Sequence, residues 1–433
     1  MTARPGAARA LVLEGFLSRL SFGLLTFALP LYGRELGLSI TEVGLLSSFA
    51  LMVSLALKPL MGGMADRWGL KRSLVAALVV RSLLCLSYLV AAVPWQLFAV
   101  RGAHGVSDSL RDPAVHALIA ENGGKRSMAS TFAWYQTAKT SAGSVGKSLA
   151  GLLLATAGGF GLTFGVAFAL SLLPVVAVLL LVPSVPVVRD ALPRPAVPEQ
   201  QVQAEADSTD VPAAPAVANR DGGPGVLAFA GLGFLVSGTS SMLTALFPVI
   251  ATEYAGLTTA EAGLLYLVTP VLAFSGPLWG WLSDRVSRSL VLSLRSAANI
   301  TSSLTYLVFP TLLGIWVGKS LDDLGKAAFR PAWGSLMAEV SGRDRRHRAR
   351  VMGFLTAGED AGDIVAPVAA ALIWTAWGIP VLLGCRVLVA AATEVYLLRL
   401  DRRQRRAARS MPPPVPLPVP PPVPTSSGAA TRS

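Results

Sequence analysis

The 433-residue chain is 53% hydrophobic and only 14% charged, with a mean hydropathy of +0.57, whereas a soluble domain carries about 25% charged residues. Its formal charge of +12 does not indicate nucleic acid, because the basic residues sit in short clusters between apolar runs and form no continuous phosphate-binding surface. Cys85 and Cys385 lie far apart in apolar runs, and His104, His116 and His347 are scattered, so neither a disulfide framework nor a metal site is expected.

A membrane-crossing helix needs about 20 mostly apolar residues. Arg4 and Arg9 precede a first apolar run too long for a signal peptide, which reads as an uncleaved first helix. The expected spans are 10–33, 40–62, 73–93, 95–120, 128–157 and 160–183, then 225–251, 258–282, 289–310, 312–340, 349–376 and 378–400. The fold class is therefore all-α integral membrane, with twelve transmembrane helices in two six-helix bundles, 10–183 and 225–400. Between them, 184–224 is rich in Pro, Ala and acids and reads as a flexible linker. At the end, 401–433 is basic and then Pro-rich, and is expected to be disordered and to offer at most a weak docking segment for a protein partner.

Basic residues fall in alternate loops: Arg67, Lys71 and Arg72; Lys125 and Arg126; Arg285 and Arg288; Arg343, Arg345, Arg346, Arg348 and Arg350; and Arg402, Arg403, Arg405 and Arg406 beyond the last span. The intervening loops offer little besides Arg34. Both termini and the linker are thus expected on the cytoplasmic side of a bacterial inner membrane.

The two halves match at a constant offset of 218 residues. Gly62, Asp66 and Arg67 of GGMADRW recur as Gly280, Asp284 and Arg285 of GWLSDRV, and PAVHALIAE at 113–121 recurs as PAWGSLMAE at 331–339. A duplicated six-helix unit accounts for this, and such repeats place a solute path between the halves. The run Gly62-Gly63-Met64-Ala65-Asp66-Arg67-Trp68-Gly69-Leu70-Lys71-Arg72 resembles the signature loop between helices 2 and 3 of the major facilitator superfamily. The likeness covers about 10–400. It implies that helices 1, 4, 7 and 10 line a cavity, that 2, 5, 8 and 11 flank it, and that 9 and 12 are peripheral. It also implies that Gly62, Asp66, Arg67, Gly69, Lys71 and Arg72, with the weaker repeat Asp284 and Arg285, gate the cytoplasmic side, Asp66 lying near the start of helix 11. Within the superfamily, Leu97 to Gly105 is similar to a fourth-helix motif of proton-coupled drug antiporters, with His104 in place of Gln; in helix 5, Lys147 stands where that group has Pro.

The segment TSAGSVGKSLAG, 140–151, imitates a phosphate-binding loop. Its first required Gly is Ser141, however, and it lies inside an apolar helix whose amides bond internally. No nucleotide enzyme is expected. Gly143, Gly146 and Gly151 suit close helix packing instead, and Lys147 becomes an ammonium at membrane depth, which needs a partner or a wet cavity.

Further ions recur at helical spacing: Arg101, His104, Asp108, Arg111 and Asp112 in helix 4; Lys319, Asp322, Asp323, Lys326 and Arg330 in helix 10; Lys139 beside Lys147 in helix 5; and Glu359, Asp360 and Asp363 in helix 11. The expected solute and proton pathway comprises Arg101, His104, Asp108, Arg111, Lys139, Lys147, Asp322, Asp323, Lys326, Glu359, Asp360 and Asp363. Matching depth suggests that Lys147 pairs with Asp322 or Asp323, and Arg111 with Asp360. Glu14 and Arg19 are placed to reach the cavity, Lys58 and Arg81 are expected to snorkel toward the membrane surface, and Arg295, Arg386 and Glu394 belong to peripheral helices. The sequence thus indicates a monomeric secondary transporter moving a small organic solute in contact with membrane lipid, driven by a proton gradient without a cofactor. Proton-coupled efflux is the leading reading; a symporter or uniporter for an organic ion, or a non-transporting scaffold, are the alternatives.

Overall fold

The computed structural model describes residues 5–122, 124–182, 224–342 and 348–410. The first half contains α1 Pro5–Glu35, α2 Ile40–Trp68, α3 Leu70–Ser87, α4 Pro94–Asn122, α5 Gly124–Leu154 and α6 Gly159–Leu181. In the second half, α7 is Val226–Thr244, prolonged through Phe247–Val249 and a π-turn, Ile250–Tyr254. Helix α8 is Thr259–Ala273 followed by Gly276–Arg285, bent by 46° between them. Helices α9 Arg288–Val308 and α10 Leu312–Gly342 follow. Arg348–Ser410 is divided at Gly378, whose φ of 83° no other residue type adopts readily, into α11 (348–377) and α12 (379–410).

Local chemistry fixes these ends. Ser39 and Glu42 form a capping box that opens α2, and Thr258 and Glu261 form the same device at α8, so the repeat extends to helix starts. At the other end of α2, Gly69 with φ 92° turns the chain in one residue into α3, its N–H bonding Ala65 O at 3.0 Å. The equivalent turn into α9 uses Ser287, whose hydroxyl accepts from Leu290 N at 3.3 Å.

Expected and observed spans agree in number and order, with local differences. Helix α3 stops at Ser87 rather than 93, and α5 occupies 124–154 rather than 128–157. Helix α12 continues to Ser410, so the basic stretch assigned to the start of the disordered tail is helical. Residues 183–223 and 411–433, which hold nearly all of the expected linker and the Pro-rich segment, lie outside the described residues.

The antiparallel run of helices gives the bundle two ends: a terminal side, where α1 begins and α12 ends, and a far side. On the far side a single apolar cluster draws on both halves. It joins Phe27, Leu38, Val43 and Leu46 to Leu246, Phe247, Ile250, Leu265, Tyr266, Ala370 and Ala371. Phe27 meets Tyr266 edge to face at 5.9 Å. Toward the terminal side the core divides. One cluster, with Leu11, Leu74, Leu78, Val115, Leu118 and Tyr135, belongs wholly to the first half. The other, with Phe229, Val291, Trp333, Leu336, Leu355 and Leu397, belongs wholly to the second. Among the described residues no apolar cluster joins the halves there.

Five helical stretches are long and apolar enough to cross a membrane, and the bent α8 adds a sixth. Helices α3, α4, α5, α9 and α10 fall outside that set. All but α3 and α9 carry the stripes of ions noted above, and those two hold the buried Arg81 and Arg295. The chain is a multi-pass membrane protein whose charges are turned inward.

Candidate functional site

A cavity of about 560 Å³ lies between the halves, below the far-side seal. That is large enough for a drug-sized molecule, since ligand sites commonly span about 300–1,000 Å³. Eight cations line it, Arg19, Lys58, Arg101, Lys139, Lys147, Lys319, Lys326 and Arg330, along with six carboxylates, Asp108, Asp112, Asp322, Asp323, Asp360 and Asp363.

Helical phase decides which ions reach the cavity. In α4, Asp108 and Asp112 fall within roughly 20° of Arg101 on either side around the axis, while His104 and Arg111 are turned aside from it by roughly 60–80°. The first three line the cavity and the other two do not. His104 is fully buried, with Nδ1 3.4 Å from Tyr88 Oη and its ring 5.7 Å from that of Tyr88. Arg111 turns into the first-half core. Its Nη2 donates to Glu14 Oε1 at 2.7 Å and to Tyr135 Oη at 3.2 Å, and its Nη1 donates to Asp112 at 3.1 Å. In α10, Lys319, Asp323, Lys326 and Arg330 share the cavity face, and Asp322, at the edge of the lining, is turned toward α9 and α12. There Arg386 Nη2 reaches Asp322 Oδ1 at 2.8 Å and Arg295 Nη1 reaches it at 3.1 Å, while Lys326 Nζ holds Oδ2 at 2.7 Å.

These contacts correct several expectations. Arg111 does not pair with Asp360, because Glu14 takes it within the same half and Lys58 pairs with Asp360 across the halves at 3.5 Å. Lys147 forms no ion pair with Asp322 or Asp323. Asp322 is held as above, and Asp323 is taken by Lys319 and Thr269, with Lys326 at 3.7 Å. Instead, Lys147 Nζ stands 4.8 Å from the Tyr266 ring centroid. Arg81 does not snorkel. It is buried, donates to Ser18 Oγ at 2.9 Å and pairs with Asp108 at 3.4 Å. Arg295 and Arg386, on the peripheral helices, are both buried and aimed at Asp322. Glu359 lies beside Gly233 and Trp333, off the cavity lining.

The carboxylates are all engaged. Asp363 is held by hydroxyls alone, accepting from Ser237 Oγ at 2.6 Å and from Ser241 Oγ. The cations are not all engaged. Among the described residues, Arg19, Arg101, Lys139 and Lys147 have no carboxylate within 4.0 Å, and each rests over an aromatic ring. Arg19 and Arg101 share Phe22, at 5.0 and 5.5 Å, and Lys139 is 5.1 Å from Tyr135.

The halves meet closely at the far side. Arg34 Nε donates to Glu253 at 2.8 Å, and the Thr41 and Thr375 hydroxyls are 3.0 Å apart. In α5 and α8, Gly151 and Gly263 let the backbones touch: a β-carbon on Gly263 would stand 2.8 Å from Gly151 Cα. Gly146 packs likewise on Gly23 of α1, whereas Gly143 is looser. At the terminal side, a β-carbon on Gly62 would lie 4.0 Å from Pro113 Cβ and one on Gly280 3.6 Å from Pro331 Cβ, so the repeat holds in space. Lys71 Nζ donates to Leu179 O at 3.1 Å, and Arg67, Arg72, Asp284 and Arg285 are exposed. The Asp66 side chain, residues 343–347 and the first side chains of α11 lie outside the described residues, and the expected latch with them.

The sequence profile of the Major Facilitator Superfamily matches residues 11–318 and again 229–427. Over 164 residues the chain is 26% identical to the Multidrug resistance protein MdtG of Citrobacter koseri, covering 37% of this chain and 40% of that relative's length. The fold superposes on a bacterial homolog of the human lysosomal transporter Spinster in an inward-facing and occupied conformation, with a TM-score of 0.68, 15% identity and coverage of 95% and 98% of the two chains. It also superposes on the nucleoside transporter NupG, with a TM-score of 0.68, 14% identity and coverage of 92% and 99%.

Proposed function

Starting from a chain that belongs to the major facilitator superfamily, a transporter and not an enzyme, we propose that it is a proton-coupled antiporter that exports a small organic compound by alternating access. One observation carries the reading: a charged cavity between two repeats, with a shared apolar seal at one end and separate cores at the other. A seal formed between the halves, rather than within either one, can open while the opposite end closes, which exposes the cavity to each side in turn. The terminal side is taken as cytoplasmic, from the basic loops that cluster there, in a bacterial inner membrane. The cavity then faces inward in this conformation. The partial match to a multidrug resistance protein supports export. The chain is taken to act as a monomer, with the Pro-rich end as a weak docking segment.

Coupling is assigned to Asp363. Among the described residues it is the cavity carboxylate held by hydroxyls with no cation within 4.0 Å, so it can accept a proton without leaving a buried ammonium or guanidinium unpaired. Neutralising it removes a charge at the seam and shifts the balance between facings by whatever the two states differ in stabilising that charge. The test uses proteoliposomes with an imposed pH difference and a panel of labelled organic solutes. Solute is expected to move against the proton flow. D363N is expected to abolish gradient-driven accumulation while retaining exchange of solute across equal pH. Movement with the protons would replace antiport by symport. Gradient-driven accumulation unchanged in D363N would remove Asp363 from coupling.

A further inference from the structure

The two halves treat their equivalent cations differently. Arg101 of α4 and Lys319 of α10 occupy corresponding positions of the repeat, 218 residues apart. Four residues on, Lys319 has Asp323, which pairs with it. Four residues on from Arg101 the chain has Gly105, whose missing side chain lets α4 press on Ala50 O of α2. The second half therefore neutralises its own cation, while the first half has a close helix crossing where a carboxylate would stand. Arg101 Nη1 is buried without a hydrogen-bond partner among the described residues. Arg19 shares the Phe22 ring with it, and Lys147 stands over Tyr266 with Lys319 4.9 Å from the same ring centroid. Arg81 also lies over Phe22, at 4.5 Å, and holds Asp108, while Lys319 holds Asp323. Like charges gathered in a site of low dielectric call for a counter-charge, and among the described residues no carboxylate pairs with Arg19, Arg101 or Lys147 within 4.0 Å.

We propose that the transported solute supplies it: the cavity binds an amphiphilic organic anion, its acidic group seated between Arg19, Arg101 and Lys147. This rests on the transport reading above. The cavity is far larger than an inorganic anion requires, and Leu46, Leu55, Leu243 and Ile364 add apolar walls to it, so the anion carries an apolar body. Phe22 and Tyr266 hold the cations through their ring faces, which uses up no carboxylate. An organic cation meets the same wall as repulsion.

The experiment compares two xanthene dyes of similar size and opposite charge, carboxyfluorescein and the esterified cation rhodamine 6G, binding to the full chain in nanodiscs of uncharged lipid, read by fluorescence anisotropy. Carboxyfluorescein is expected to bind at least about tenfold more tightly than rhodamine, the scale on which charge complementarity discriminates between partners. R101Q and K147Q are each expected to weaken carboxyfluorescein by about tenfold, K147R to restore most of the loss, and rhodamine binding not to weaken in either glutamine variant, since less repulsion remains. Thermal unfolding of each variant checks its fold, and the comparison of dyes on the unaltered protein stands without any variant. Equal or tighter binding of rhodamine, binding of neither dye, or carboxyfluorescein binding unaltered in folded R101Q and K147Q would overturn the proposal. Binding in nanodiscs needs no gradient. Anion-selective binding in a protein that transports nothing in proteoliposomes would thus reject the transport reading and leave the charge assignment in place.

Discussion

At the scale of single residues, a few tens of degrees around a helix axis separate a cavity ion from a core ion. Arg101, Asp108 and Asp112 face the cavity, whereas Arg111, one position from Asp112, is 2% exposed and locked to a Glu14 that is fully buried. Breaking one side of a buried pair strands the other charge, at a cost of about 3–5 kcal/mol. E14Q is therefore expected to lower stability in detergent by about 3 kcal/mol, measured by thermal unfolding. Replacing both partners with apolar residues, E14L with R111M, is expected to recover most of that loss, because the charge then left alone, Asp112, is 36% exposed and lines the cavity. A double variant as unstable as E14Q would show that the pair does more than satisfy itself. The stripes of ions were legible in the sequence, since spacing of three, four and seven is a property of one helix. Their partners were not. Arg81 on Asp108, and Arg295 and Arg386 on Asp322, come from α3, α9 and α12, and nothing local in the sequence reports which way a neighbouring helix turns its arginine. The assignment of Lys147 to Asp322 or Asp323 failed for that reason: equal depth brought the groups to one level, but nearer cations had already taken both carboxylates.

At the scale of elements, the helices that seal the far side are the interrupted ones. Pro248 follows the kink in α7, and α8 bends between Ala273 and Gly276, with Pro270 and Pro277 on either side. Against α8 lies α5, with Gly151 on Gly263 and no side chain between them. A side chain at 263 must push the two halves apart on that side, since Ser148 O and Gly151 Cα stand within 3.0 Å of where its β-carbon would be. G263V is thus expected to disfavour the sealed far side without unfolding either half. The measurement is thiol labelling of L243C from the far side, in a background with Cys85 and Cys385 replaced, where G263V is expected to raise the labelling rate. An unaltered rate would mean that the close approach is not part of the seal. The sequence made Gly146 and Gly151 readable as packing glycines, and the capping boxes at Ser39 and Thr258 stand in it as Ser-x-x-Glu and Thr-x-x-Glu. The breaks within α7 and α8 were hidden by their apolar composition, which reads as one uninterrupted span.

At the scale of the whole molecule, the repeat is visible in sequence, in helix starts and in the paired Gly62–Pro113 and Gly280–Pro331 contacts. The distribution of cores is not, because each half has apolar residues enough to pack at either end. The shared cluster at the far side and the divided clusters at the other define one of two facings, and the account as a whole claims that these exchange. The most direct measurement is a pair of spin-label distances across the halves, W68C with A338C at the terminal side and E35C with A376C at the far side, in membranes, before and after E253Q removes the Arg34–Glu253 ion pair. The far-side distance is expected to lengthen and the terminal-side distance to shorten in the same molecules. Lengthening of both, or no change in either, would contradict two halves that rock about a central cavity.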